Sequence, residues 1–199
     1  MKSINSMFDE ISIDFHPVVI LPKDYTILDL TNDSWNSPET EFSIGRYDEF
    51  RPDMYNTSIF GGIRNIHMGI DIGGPVGTSC LAFMDGEISH FGYNPEPGDY
   101  GNVIITKHVI SKTTFWALYG HLDSSSIDNI SIGQDVKAGE LIGRFGNTHE
   151  NGGWEPHLHF QLSLVEPSTH DLPGVVSSED REQALLDYPD PRLVLGPLY

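Results

Sequence analysis

Val103-Ile104-Ile105-Thr106-Lys107 and Thr113-Thr114-Phe115-Trp116-Ala117-Leu118-Tyr119 decide the reading of this chain. Both runs are rich in β-branched and aromatic residues. The gap between them, around Val109 to Lys112, fits an antiparallel hairpin. Outward from this pair, Asp85-Gly86 and Ile132-Gly133-Gln134-Asp135 read as turns between apolar runs. Residues 136–142 and 157–165 read as further strands. Helical periodicity is weak until residues 177–187, where one short helix is expected, capped by Ser177 or Ser178 and ended by Pro189 and Pro191.

The expected fold is therefore mainly β. Residues 61–165 form an antiparallel β-sheet core, sandwich-like or barrel-like. Residues 1–60 form an irregular N-terminal extension packed on that core, and residues 166–199 a C-terminal extension with the one short helix. Within the first segment, Phe15-His16-Pro17-Val18-Val19-Ile20-Leu21-Pro22 reads as a short strand bracketed by prolines. Residues 31–40, rich in Asn, Asp, Ser and Pro, read as loop. Trp35, Phe42, Tyr47, Phe50 and Tyr55 are expected to pack on the main body.

The chain has 199 residues, 38% of them hydrophobic, enough to bury a core. Its 29 acidic and 11 basic residues give a net charge of -18. Such a surface repels phosphate backbones, so nucleic acid is a poor partner, and anionic membranes and wall polymers are disfavoured alike. The plainer role of the charge is solubility. Cys80, the single cysteine, sits in the apolar run Cys80-Leu81-Ala82-Phe83-Met84. No internal disulfide is possible, and a buried inert thiol is expected. Residues 1–10 carry one positive charge, early acids and no apolar stretch of about seven residues, unlike a secretory signal. No stretch approaches ~20 apolar residues. A cytoplasmic protein without a membrane span is the expectation.

Chemistry concentrates in the nine histidines, at 16, 67, 90, 108, 121, 149, 157, 159 and 170. In His157-Leu158-His159, alternation on a strand sends both rings to one face, ~7 Å apart. They can share a metal, or one can bind it while the other works beside it. Taken alone, two surface histidines is an equally good reading. In His67-Met68-Gly69-Ile70-Asp71, a straight strand would hold His67 and Asp71 ~13 Å apart. They converge only if the chain bends, which Gly69, Gly73 and Gly74 make easy. Alone, this segment reads as an ordinary turn. In Tyr119-Gly120-His121-Leu122, His121 ends the long β run beside a glycine, placed to face a cleft or to pack in the core.

Together these motifs exceed their parts. Two histidines and a carboxylate are the donor set of many catalytic zinc sites, with the fourth position left to water. Two further histidines remain for acid–base work. No His-Glu-x-x-His helix, Gly-x-Ser-x-Gly elbow or phosphate-binding loop occurs, and Cys80 has no nucleophile signature.

His67-x-Gly-x-Asp71, Tyr119-Gly120-His121-Leu122 and His157-x-His159-Phe160, in this order and spacing, resemble the lysostaphin/LytM-type zinc endopeptidases. Gly73-Gly74-Pro75-Val76-Gly77-Thr78, Gly101-Asn102 and Val136-x-Ala-Gly139-x-x-Ile142-Gly143 support the match, which covers about residues 61–165. Asn151-Gly152-Gly153-Trp154-Glu155-Pro156-His157 is similar to a branch of the family found within cytoplasmic multidomain proteins. The resemblance implies a β core with a metal-containing groove. It also implies one zinc ion held by His67, Asp71 and His159, with His121 and His157 as the catalytic histidines. Family members of known activity cut peptide bonds in peptidoglycan, often at glycine or D-amino acids. The lack of a signal and of wall-binding repeats, with the acidic balance, sets this chain apart from secreted members.

The expected function is zinc-dependent hydrolysis of peptide bonds, on wall peptide, muropeptide or another small amide. The rival is a non-catalytic binding or regulatory module that keeps the fold. A structural zinc site would favour four protein ligands, often cysteines. His16, His90, His108, His149 and His170 are read as structural, with His149 the best placed of them to line the groove. Trp154 is a candidate floor for a substrate pocket, core packing being its plainer reading.

Overall fold

The computed structural model describes residues 14–32 and 38–199. The readings of residues 1–10 and of Trp35 fall outside the described residues. Six short strands come first: β1 (Thr26–Ile27), β2 (Ser43–Gly45), β3 (Glu49–Phe50), β4 (Arg64–His67), β5 (Ile70–Gly73) and β6 (Ser79–Leu81). The long strands follow: β7 (Gly86–Asn94), β8 (Gly101–Ile110) and β9 (Thr113–Leu122). Then come β10 (Asp135–Val136), β11 (Leu141–Arg144), β12 (His157–Ser163) and β13 (Val175–Ser177), before helices α1 (Arg181–Asp187) and α2 (Arg192–Leu195).

Eight strands form the main sheet in the order β1-β2-β5-β12-β9-β8-β7-β10. Its pairings are antiparallel except β1 with β2 at the edge. β11 pairs with β6, and β13, β4 and β3 make a third, three-stranded sheet. The mainly β, antiparallel fold read from the sequence is the fold of the molecule.

The β8–β9 hairpin is tighter than the sequence suggests. Ile110 pairs with Thr113, leaving Ser111-Lys112 as a two-residue turn with both φ angles positive, 48° and 73°. Two left-handed residues match the right-handed twist of the strands they join. Ile104, Phe115, Ala117 and Tyr119 enter the large core cluster, while Val103, Ile105, Trp116 and Leu118 enter a second cluster on the other face. Both faces are thus covered, and the apolar runs are continuous instead of alternating. Each fully buried large apolar side chain here contributes about 1.5–3 kcal/mol.

Two strand expectations fail. Residues 15–22 form no strand. Pro17 and Pro22 cannot donate to a ladder, and the segment makes isolated bonds instead, His16 N–H to Phe83 O and Leu81 N–H to Val18 O, while Val18 and Val19 fill the core. Residues 136–142 are two strands, β10 and β11, in different sheets. The turn between them has Gly139 at φ 79°, held by Gly139 N–H to Ala82 O and Glu140 N–H to Lys137 O. α1 starts at Arg181, later than expected, because Ser177 is still in β13; its hydroxyl accepts from Asp180 N–H. Beyond Pro189, Pro191 starts the single turn of α2.

The turn between β2 and β3 meets the C-terminal segment. Arg181 pairs with Asp48, and Tyr47 bonds both Tyr188 O and the Tyr199 hydroxyl. Phe42 and Tyr47 pack against the core and Tyr55 is buried, whereas Phe50 is exposed. Cys80 is fully buried, and burial pushes its thiol up.

Candidate metal centre

β12 lies between β5 and β9, so its residues face partners on both sides. His159 pairs with Asp71 across one edge and with Gly120 across the other. Strand alternation puts His157, His159 and Gln161 on one face. His67 reaches the same place from another sheet. It ends β4; the chain turns at Met68-Gly69 and re-enters the main sheet as β5. Gly69 permits this turn to run beneath the His159 ring. A Cβ there would lie 2.4 Å from His159 Cε1 and 2.9 Å from Phe160 O.

Three donor atoms converge. His67 Nε2 lies 3.0 Å from His159 Nδ1, and Asp71 Oδ1 is 3.1 Å from each. The tautomers follow from the outer partners. His67 Nδ1–H donates to Arg46 O at 2.9 Å, and His159 Nε2–H to Gln161 Oε1 at 3.0 Å. Gln161 in turn donates to Pro173 O, which fixes its amide. Two lone pairs and a carboxylate oxygen are left facing one point, an arrangement that suits a divalent cation. His67 and His159 are buried at 2% and 3% exposure. Burial lowers the His67 pKa to about 4, keeping it a neutral donor at pH 7.

Asp71 is held from behind. Burial opposes its ionisation, but the neighbouring His67 and then the Arg51 guanidinium hold its carboxyl well below the usual range. Arg51 Nη1 donates to Asp71 Oδ2 at 2.8 Å and to the Tyr55 hydroxyl at 3.0 Å, and Nε donates to Glu49 Oε2 at 2.9 Å.

His121 and His157 stand beside the donors, ring centroids 4.2 Å apart. His121 Nδ1–H donates to Asn151 O and His157 Nδ1–H to Glu155 O, at 2.8 and 2.7 Å. Both Nε2 lone pairs are left free of these bonds, and His157 Nε2 is 3.8 Å from Asp71 Oδ1. Burial lowers both pKa values, His121 the further, with His157 and His159 adding to it. His121 sits at φ 63°, a left-handed conformation that costs on the order of 1–3 kcal/mol. Its N–H to Tyr100 O holds it there.

The loop of residues 151–156 carries this support. The fully buried Asn151 accepts from Gly153 N–H and Trp154 N–H and donates to Trp154 O. Trp154 donates to Gly98 O and sets its edge against Tyr55 and His121. It thereby walls a groove of about 1510 Å³ that contains all five histidine and aspartate positions singled out in the sequence. Carboxylates Glu41, Asp53, Asp99, Glu155 and Asp171 also line it. His149 does not. It is exposed in a tight turn closed by its own N–H to Asn147 Oδ1. Sequence reading missed Arg51, Gln161 and Asn151. Gln161 had a signal, two positions past His159 on the same strand face; Arg51 had none.

Known proteins resemble this chain over its central part. The model of a family described as Peptidase family M23 matches residues 65–170. The chain is 39% identical over 103 residues to the cell division protein DipM of Caulobacter vibrioides, covering 52% of this chain and 15% of that protein. It is 34% identical over 113 residues to the murein hydrolase activator NlpD of Escherichia coli, covering 57% of this chain and 27% of that protein. The matched stretch is thus about a quarter or less of these relatives' length. Among solved structures, the catalytic domain of the antimicrobial peptidase lysostaphin from Staphylococcus simulans superposes with a TM-score of 0.46 at 24% identity, covering 72% of this chain and 92% of that one.

Proposed function

This chain belongs to peptidase family M23, and from that premise we propose that it is a zinc-dependent hydrolase of peptide bonds, acting on peptidoglycan-derived or other small peptides. The observation that carries the reading is the triangle of His67 Nε2, Asp71 Oδ1 and His159 Nδ1, with both ring tautomers fixed from outside. These three residues would hold one zinc ion. Bound there, zinc would polarise a scissile carbonyl and lower the pKa of water toward ~7.

The chain's own groups would move the protons. His121 and His157 are held neutral at pH 7 by burial, with Nδ1–H engaged by backbone carbonyls. Each can accept a proton at Nε2. Once protonated, a buried imidazole is a stronger acid than usual and gives the proton readily to a leaving amine. Tyr100 packs against both His121 and His159 and limits how far either ring can turn.

A second reading is a non-catalytic binding or regulatory module, favoured by the 34% identity to a murein hydrolase activator. Against it stands the completeness of the donor set and of the flanking pair. The test is zinc analysis of the purified chain, then incubation with peptides containing glycine or D-amino-acid linkages and with muropeptides, scored for new amino groups. Chelator-sensitive cleavage supports the hydrolase. Bound zinc without cleavage of any of them transfers the case to the binding module. No bound zinc refutes both the metal assignment and the hydrolase.

A further inference from the structure

The residue that orients the carboxylate of the metal centre comes from the segment before the family-matched residues. Arg51 is 1% exposed, so its charge is almost wholly removed from water. Such a group persists in a fold only when its donors are taken up. They are. Nη1 bonds Asp71 Oδ2 and the Tyr55 hydroxyl, Nη2 reaches Arg46 O, and Nε bonds Glu49 Oε2.

The consequence falls on Asp71. One of its oxygens, Oδ2, is engaged by Arg51, while the other, Oδ1, points between the two imidazoles. A carboxylate so held can offer only Oδ1 and cannot rotate to offer both. The same short segment serves His67 as well, because Arg46 O accepts its Nδ1–H. Glu49 offsets the charge that Arg51 brings, and Arg46 and Asp29 continue the alternation outward to the surface. Buried ion pairs are not reliable sources of stability, since desolvation opposes the attraction. A purely structural Arg51 would be a weak device; one that fixes a ligand has a use.

We propose that Arg51 is a positioning residue of the metal centre, holding Asp71 so that it presents Oδ1 alone, and that the segment from Arg46 to Tyr55, which precedes the family-matched residues, forms the outer shell of that centre. The inference rests on the zinc reading given above. Partners of this kind, once removed, lower metal affinity by about 10–100-fold.

The test uses the full chain. Zinc affinity is measured by competition with a chromogenic chelator, and coordination is read from the visible absorption of the cobalt(II)-substituted protein. Arg51→Met is expected to keep the circular dichroism of the β fold, to bind zinc about 10–100-fold more weakly, and to alter the cobalt spectrum. Arg51→Lys keeps the charge but not the planar fork, and is expected to fall between Arg51→Met and the unaltered chain. A folded Arg51→Met protein with unchanged zinc affinity and cobalt spectrum overturns the proposal. If Arg51→Met does not fold, Arg51→Lys decides, and an affinity equal to that of the unaltered chain overturns it. Failure of the unaltered chain to bind zinc overturns the metal reading itself, and this inference with it.

Discussion

His67 Nε2 and His159 Nδ1 face each other at 3.0 Å, and the N–H of each ring is committed elsewhere, to Arg46 O and Gln161 Oε1. Two acceptors at that distance repel unless something positive lies between them. Asp71 Oδ1 completes the triangle. Without the carboxylate, two neutral imidazoles would hold a dication poorly. The unaltered chain is therefore expected to bind one zinc ion and Asp71→Ala to bind none, measured by elemental analysis after desalting. Retention of zinc in this variant would move the ligand set elsewhere.

His121 and His157 are expected to behave differently. Neither supplies one of the three converging atoms, and each is anchored by a loop carbonyl instead. His121→Ala and His157→Ala should each retain zinc and slow cleavage by ~10²–10⁴-fold. Metal content and turnover measured on the same preparation separate this from ligand loss. Turnover matching the unaltered chain in either variant would remove that histidine from the reaction.

Gly69 shows how sequence and site are coupled. Its φ is not positive, so an L side chain there is opposed by space alone. A methyl group would press on His159 Cε1 at 2.4 Å and on Phe160 O at 2.9 Å. The ring cannot retreat without breaking its bond to Gln161. Gly69→Ala is expected to weaken zinc binding at least about tenfold, with an overpacking cost of about 1–3 kcal/mol in the metal-free protein. Zinc titration and thermal unfolding give the two numbers. Unchanged zinc affinity would mean that His159 can shift and still bind.

The legible part of this molecule was the part governed by short-range rules. Period-two alternation placed His157 and His159 on one face, and glycine between His67 and Asp71 announced the bend; both are local statements. The hairpin was legible from its two apolar runs, though its turn was not, since Ser111 and Lys112 are unusual occupants of left-handed positions. The strand misread over residues 15–22 came from weighing apolar content above the missing N–H groups of Pro17 and Pro22. What could not be read were long-range polar partnerships. Arg51 meets Asp71 twenty positions away, and His121 meets Asn151 thirty away, through a loop whose path no periodicity encodes.

Acid should destabilise the metal-free protein before its carboxylates titrate. Burial lowers His67 and His108 to about 4, and His121 and His157 are also held below 6.5. The unfolded chain binds protons at these positions from about pH 6.5 downward; the folded chain does not until near pH 4 at His67 and His108, and at His121 and His157 it does so only at lower pH than the unfolded chain. Stability due to keeping them neutral is therefore complete above about pH 6.5 and is lost progressively toward pH 4. His108 allows a clean test, since it sits away from the metal centre, its Nδ1–H donating to Asp85 O and its Nε2 accepting from the Thr106 hydroxyl. Urea midpoints measured on chelator-treated protein between pH 7 and pH 5 are expected to fall with pH. In His108→Gln, which cannot take up a proton, the fall should be shallower. An equal slope in the two proteins would mean that His108 protonates in the folded state as easily as in the unfolded one, against what its burial demands.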